Sequence, residues 1–268
     1  MTGTAHAAPP QRIMSINLCA DALVLALVPP NRITSVTFLA RQSTDPVLAV
    51  EARAVGVNHG AAEEVLAQHP DLVIASVSAG PGVRVLTRRA GVRLIELPAT
   101  NNFADVRAVT RQVGQAVGEG ARAEALIAGM DATLAQLART GPRRRIRVAQ
   151  WDGGGFSEGR GTLFDAILTA AGGANVAADL PAAQAGALDV EQVLAARPEV
   201  LAQGDEGSRA PSLRGMASAH PALRRLYAGR RRVTYPELPF SCGTPASAQA
   251  AKELRAALLA ATSSGNGR

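Results

Sequence analysis

Residues 63–75 read Glu-Glu-Val-Leu-Ala-Gln-His-Pro-Asp-Leu-Val-Ile-Ala, and residues 191–203 read Glu-Gln-Val-Leu-Ala-Ala-Arg-Pro-Glu-Val-Leu-Ala-Gln. The second copy follows the first by 128 positions with no gap. Both carry a glutamate, Val-Leu-Ala, a proline, an acid and then an apolar run. An internal repeat fixes architecture before any other feature is read. Two copies at so long a period do not make a solenoid. They imply two similar lobes, and two lobes imply a cleft.

Each copy has a physical logic of its own. The residue before a proline is pushed out of the helical region, so the helix that begins at the glutamate must stop at Pro70 or Pro198. The apolar run that follows has no polar alternation, as expected of a strand covered on both faces in a parallel sheet. Around these copies the chain alternates strands and helices. Strands are expected at 12–16, 33–37, 54–56, 72–76, 92–97, 146–151, 200–203 and 232–235. Helices are expected at 19–28, 63–69, 83–90, 161–171, 190–196 and 246–261, with short helical pieces at 213–217 and 221–227. This pattern predicts an α/β protein with parallel central sheets.

Between the two halves, Phe103–Arg139 contains no proline and places Val106, Val109, Val113, Val117, Leu126, Met130, Leu134 and Leu137 near helical spacing. One helix over that span would be about 55 Å long. Gly118 and Gly120 mark where it would kink. The expected organisation is a disordered remnant over residues 1–10, a first lobe over 11–102, a linking helix over 103–140, a second lobe over 141–262 and a disordered tail over 263–268.

Composition narrows the function. A chain of 268 residues with 47% hydrophobic and 19% charged residues suits a soluble globular protein. The longest apolar run, Ala22 to Pro30, falls short of the roughly 20 residues of a membrane helix. A net charge of +6 raises nucleic acid as a partner. The arginines are scattered, however, and aromatics make up only 3% of the chain, too few for a base-stacking surface. Nucleic-acid binding is therefore not expected. Ala5-His6-Ala7 looks like the end of a secretory signal, although no apolar core precedes it.

Several constellations invite chemistry. Gly153-Gly154-Gly155, Gly159 and Gly161 lie between a strand and a helix, but they match no phosphate-binding fingerprint. Trp151, Asp152 and Phe156 lie beside them, at the edge where open α/β sheets take ligands; Trp151 is either a ligand platform or core. The four histidines form no close cluster, so no metal site is indicated. His59 is the one that could face a cleft, in Gly56-Val57-Asn58-His59-Gly60; His69 and His220 read as surface. Cys19 and Cys242 form a disulfide, stand as two thiols near the cleft, or bind a soft metal. As a thiol, either would be the nucleophile of a cleft enzyme, the alternative reading of the chain. Glu63 and Glu191, first-turn acids at matched positions, are suited to docking on an arginine-bearing partner.

The order of these motifs resembles the periplasmic substrate-binding proteins of ABC importers for cobalamin, ferric siderophores and haem. Arg12-Ile13-Met14-Ser15-Ile16-Asn17-Leu18-Cys19-Ala20-Asp21 is similar to the family's first strand and helix. Gly56 through Ala75 is similar to its helix, proline, acid and strand. Gly159–Asn175 is similar to its Gly-rich turn, helix and Gly-Gly-x-Asn. The resemblance covers most of residues 11–260. It implies two Rossmann-like lobes joined by one rigid helix, a ligand held between them, no catalysis and no cofactor. It further implies a monomer in the periplasm that delivers its ligand to a permease, with Glu63 and Glu191 at the docking positions. The expected ligand contacts are Asn17, Cys19, Arg41, Asn58, His59, Trp151, Asp152, Phe156, Arg160, Tyr235, Phe240 and Cys242, with Phe38 as a further aromatic. Among these, Tyr235 or His59 could ligate haem iron, and Arg41 or Arg160 could face an anionic chelate.

Overall fold

The computed structural model describes residues 8–152, 156–178, 180, 188–205 and 220–263. The glycines 153–155, the helical piece expected at 213–217, the export-signal remnant at 5–7 and residues 264–268 of the tail lie outside these residues. The chain divides into two units. One comprises everything up to Ala99 with Arg107–Ile127; the other comprises Thr100–Val106 with everything from Ala128 onward.

The first unit is built on a five-stranded parallel sheet. Its strands are β1 (Ile13–Ser15), β2 (Ile33–Thr37), β3 (Gly56–Asn58), β4 (Leu72–Ser76) and β5 (Arg93–Leu97), in spatial order β3-β2-β1-β4-β5. Its helices are α1 (Leu18–Leu27), α2 (Phe38–Arg41), α3 (Pro46–Arg53), α4 (Ala62–Gln68) and α5 (Pro81–Arg89). The second unit holds β6 (Ile146–Gln150), β7 (Gly173–Asn175), β8 (Val200–Gly204) and β9 (Arg232–Tyr235), ordered β7-β6-β8-β9 and again parallel. Its helices are α8 (Leu163–Ala171), α9 (Val190–Ala196), α10 (Pro221–Leu226), α11 (Leu238–Ser241) and α12 (Ser247–Thr262).

The repeat is realised in both units. Val65 of α4 and Val193 of α9 are each fully buried, as are Val73 of β4 and Leu201 of β8 at the matched strand positions. Val65 packs with Met14 and Val73; Val193 packs with Ala149, Trp151 and Leu201. Each such side chain contributes roughly 1.5–3 kcal/mol through burial. The two helices end alike, at His69 and Arg197, both left-handed at φ 47°. Each end is tied down by an arginine at the strand that pairs beside the one following the helix, Arg12 just before β1 and Arg147 within β6. Arg12 donates through Nη2 to Gln68 O at 2.6 Å, and Arg147 donates through Nη2 to Ala196 O at 2.5 Å.

The expected single long helix is two helices, α6 (Phe103–Val117) and α7 (Gly120–Arg139). The chain breaks at Gly118, which takes φ +78°. A side chain there would meet Pro9 Cβ at 2.7 Å, so glycine serves both the turn and the close approach. Two further differences are local. Arg41, expected in a loop, closes α2, and the helices α2 and α3 fill a stretch where no helix is expected. Pro46 at the first position of α3 follows Asp45, whose carboxylate accepts from Val47 N–H and Leu48 N–H, which starts that helix.

Candidate functional site

In open α/β sheets ligands sit beyond the carboxyl ends of the strands. After β1, Asn17 Oδ1 accepts from Cys19 N–H at 3.0 Å and Ala20 N–H at 3.3 Å, and so caps α1. One turn on, Asp21 is fully buried and accepts from both the backbone N–H and the hydroxyl of Thr37 at the end of β2. Burial pushes its carboxyl up to about 6, against those hydrogen bonds. After β3, Asn58 is fully buried and spent on structure. Its amide donates to Ser15 O and Ser35 Oγ, and its carbonyl oxygen accepts from Gly60 N–H.

His59 is different. It follows Asn58 and is 68% exposed at the side chain. Its ring lies on that of Phe38, with centroids 5.2 Å apart and planes 28° from parallel. The register Thr37 to Asn58 between β2 and β3 sets the two aromatic residues side by side. Its Nδ1 is 3.2 Å from Glu64 Oε1, and Glu64 Oε2 accepts from His59 N–H at 2.7 Å and Ala61 N–H at 3.1 Å. Partial desolvation works to raise the Glu64 carboxyl, but the hydrogen bonds from His59 and Ala61 outweigh it and hold it below the usual range. Arg41 has its guanidinium on Ala52 O and Val55 O, where it ties α2 to the end of α3.

At the end of the second sheet a polar knot forms. Tyr235 OH donates to Asp152 Oδ2 at 2.8 Å, Gln150 Nε2 donates to both, and Gly204 N–H donates to Asp152 Oδ1 at 2.7 Å. Glu158 N–H completes it by donating to Gln150 Oε1 at 2.8 Å. Burial raises the carboxyl of Glu158 and the phenol of Tyr235 above their usual ranges. Tyr235 is 3% exposed and packs at 4.3 Å from Phe240, itself buried. Its hydroxyl is thus held between Asp152 and Gln150. Trp151 takes the second of its two expected readings: it is 2% exposed and belongs to the core with Val193 and Leu201. Phe156, 45% exposed, and Arg160, also exposed, remain at the surface.

Both Cys19 and Cys242 are disulfide-bonded. The thiolate is the nucleophile and the soft-metal ligand, so neither role is open to them in this state. Among the described residues no group of three or more His, Cys, Asp or Glu is placed to hold a metal, and no helix is long and apolar enough to cross a membrane. Glu63 and Glu191 both lie exposed at the second position of their helices. A separate cavity of about 330 Å³ is lined by Leu134, Leu137, Pro142, Arg145 and Arg255 and includes none of the expected ligand residues. Arg255 is spent there on the carbonyls of Leu137, Ala170 and Ala171, in the last turns of two helices. Sequence reasoning missed Asp21, Glu64, Gln150 and Glu158 as site residues. None of the four carried a signal in the sequence, because their partners come from other strands or from backbone groups.

Comparison with known proteins agrees with this layout. The periplasmic binding protein family model matches residues 16–235. A cobalamin-binding protein of Halobacterium salinarum is 30% identical over 151 residues, which cover 55% of this chain and 41% of that protein. The chain thus matches less than half the length of that relative. The periplasmic heme-binding protein RhuT from Roseiflexus sp. RS-1 superposes with a TM-score of 0.75 at 28% identity, covering 94% of this chain and 99% of that one. The periplasmic vitamin B12 binding protein BtuF of Vibrio cholerae, at 17% identity and a TM-score of 0.68 over 95% and 99% of the two chains, shares the fold. With a family match spanning residues 16–235 and two parallel α/β units built on one repeated helix–strand motif, this chain belongs to the periplasmic binding protein family.

Proposed function

We propose that the chain is the extracytoplasmic solute-binding subunit of an ABC importer. It captures a metal chelate or corrinoid and delivers it to a permease, without turning it over. The kinship with a heme-binding protein at 28% identity and a cobalamin-binding protein at 30% supports the ligand class. The protein works in the periplasm as a monomer, with no nucleic-acid partner. Its ligand contacts are the side chains left accessible at the strand ends, namely Phe38, His59, Phe156 and Arg160.

One observation carries the delivery step. Glu63 and Glu191 stand exposed at the same place on two helices whose buried residues, ends and following strands are otherwise duplicated. Exposed carboxylates contribute nothing to those cores, and two at matched positions offer arginines of a permease a pair of contacts. The test joins binding with uptake. Ligand raises the melting temperature without being consumed. The double variant Glu63→Ala with Glu191→Ala loses uptake and keeps ligand affinity. A collapse of affinity in that variant would refute the docking role.

A further inference from the structure

The second unit contains a cavity apart from every expected cargo contact. Its volume is about 330 Å³, at the small end of the roughly 300–1,000 Å³ of sites that hold small molecules. The ends of α7 and α8 line it, and Arg255 of α12 lines its buried side. All of these residues lie within the second unit. Leu134, Leu137, Pro142 and Ala170 make much of the lining apolar. The wall at Gly172 is closely packed, since a Cβ there would meet Pro142 Cδ at 2.6 Å. Ala138 and Thr169, both exposed, mark the mouth.

The charge beside this cavity can be counted. Arg255 is 8% exposed. Its Nε donates to Ala171 O at 3.0 Å, its Nη2 to Ala170 O at 2.7 Å, and its Nη1 to Leu137 O at 2.7 Å and Thr140 Oγ1 at 3.1 Å. A guanidinium has five N–H donors, so one N–H of Nη2 is left with no partner among the described residues. Burial pushes the Arg255 guanidinium below its usual range, and no acid opposes that shift. The carbonyl ends of two helices supply roughly half a negative charge each and so about balance Arg255. Arg145 has no such balance. It is exposed, its Nη1 reaches Gly173 O only at 3.5 Å, and none of the lining residues is acidic. Both guanidiniums flank the same Gly172-Gly173 turn, with Nη2 of Arg255 3.9 Å from where a Gly172 Cβ would stand. The cavity thus joins apolar walls to an excess of about one positive charge.

We propose that this cavity is a second binding site, for a small amphipathic carboxylate. The carboxylate pairs with Arg145 and accepts the remaining N–H of Arg255, while the alkyl chain lies against Leu134, Leu137 and Pro142. One excess charge suits a monoanion. A dianion such as phosphate would keep one charge uncompensated and gain nothing from the apolar walls. The site shares no residue with the cargo contacts, so it does not depend on the solute-binding reading.

The full chain is titrated calorimetrically with butanoate, hexanoate, hexan-1-ol and inorganic phosphate. Hexanoate is expected to bind at one site roughly tenfold tighter than butanoate, because each buried methylene is worth about a factor of four. Hexan-1-ol and phosphate should each bind at least tenfold more weakly than hexanoate. Arg145→Gln, a change at an exposed side chain, lowers hexanoate affinity at least tenfold and that of hexan-1-ol less than twofold. Ala138→Phe, which fills the mouth, abolishes the binding of both. Thermal melting of the free variants shows that each is folded. Arg255 is left intact, because its loss would strip the carbonyls of two helix ends. Equal affinity for hexanoate and hexan-1-ol would overturn the proposal, as would tighter binding of phosphate. So would unchanged hexanoate affinity in Arg145→Gln or in Ala138→Phe. Absence of hexanoate binding would overturn it as well, leaving the cavity a gap in the packing between helix ends.

Discussion

Arg12 grips Asp71 and the end of α4 at once. Its backbone N–H donates to Asp71 Oδ1 at 3.0 Å while its Nε donates to His69 O at 2.9 Å. In the second unit Arg147 repeats the grip, with its N–H on Glu199 Oε1 at 2.9 Å and its guanidinium on the last turn of α9. These bonds satisfy carbonyls that a helix end leaves without partners, and they place a cation at the negative end of the helix dipole. Arg12→Met keeps the apolar stem and removes the donors. It should lower stability by about 1 kcal/mol, given the exposure of the site. Urea denaturation would check this, and Arg147→Met should behave alike. An unchanged midpoint in both would show that the grip is incidental.

Asp21 predicts a pH dependence with a definite sign. Its folded carboxyl titrates at about 6, above the ordinary 3.8. The folded state therefore binds this proton more tightly than the unfolded chain does. The stability it contributes is fully present below about pH 4 and is lost as pH rises through 6. The span corresponds to roughly 3 kcal/mol at most. Asp21→Asn keeps an acceptor for Thr37 and removes the titration. The difference in unfolding free energy between variant and parent should grow from pH 4 to pH 7, as followed by chemical denaturation at each pH. A constant difference would exclude Asp21 as the source.

Gly118→Ala tests the break between α6 and α7. A left-handed residue with a side chain costs about 1–2 kcal/mol, and here the new methyl would also press on Pro9. The variant should be destabilised by at least that amount in thermal or urea melts, and Pro9→Gly, which removes the Cβ that the new methyl would meet, should restore part of the loss. Stability equal to that of the parent would mean that the two helices can run on as one.

Much of the fold was legible because it rests on local punctuation. Pro70 and Pro198 fix the ends of α4 and α9, and the apolar runs after them are β4 and β8. The helix break was legible only as a candidate kink, since the close approach of Pro9 to Gly118 comes from a residue remote in sequence. The strand ends were legible as places but not as side chains. Asn58, Trp151 and Tyr235 lie at strand ends as expected, yet their side chains turn into the cores, and spacing alone cannot tell an inward from an outward terminal residue. Arg41 reads as a free cation in sequence because its acceptors, Ala52 O and Val55 O, are backbone atoms. Such partners leave no trace in residue identity. His59 was legible as a candidate, but its partner Glu64 was not, because nothing in the sequence tells which side chain of the following turn reaches back to it.

The shortness of α4 and α9 has a consequence for how such a chain can change. Each helix has only seven residues between a fixed start and a proline that cannot move. One residue inserted between Ala61 and Pro70 would rotate everything on one side of it by about 100°. Either Val65 would leave the core or Glu63 would point elsewhere. Insertions are therefore barred from these two turns, while the loops at the strand ends can vary in length without disturbing them. A lineage built on this motif can revise its cargo many times while the phase of its paired glutamates stays fixed.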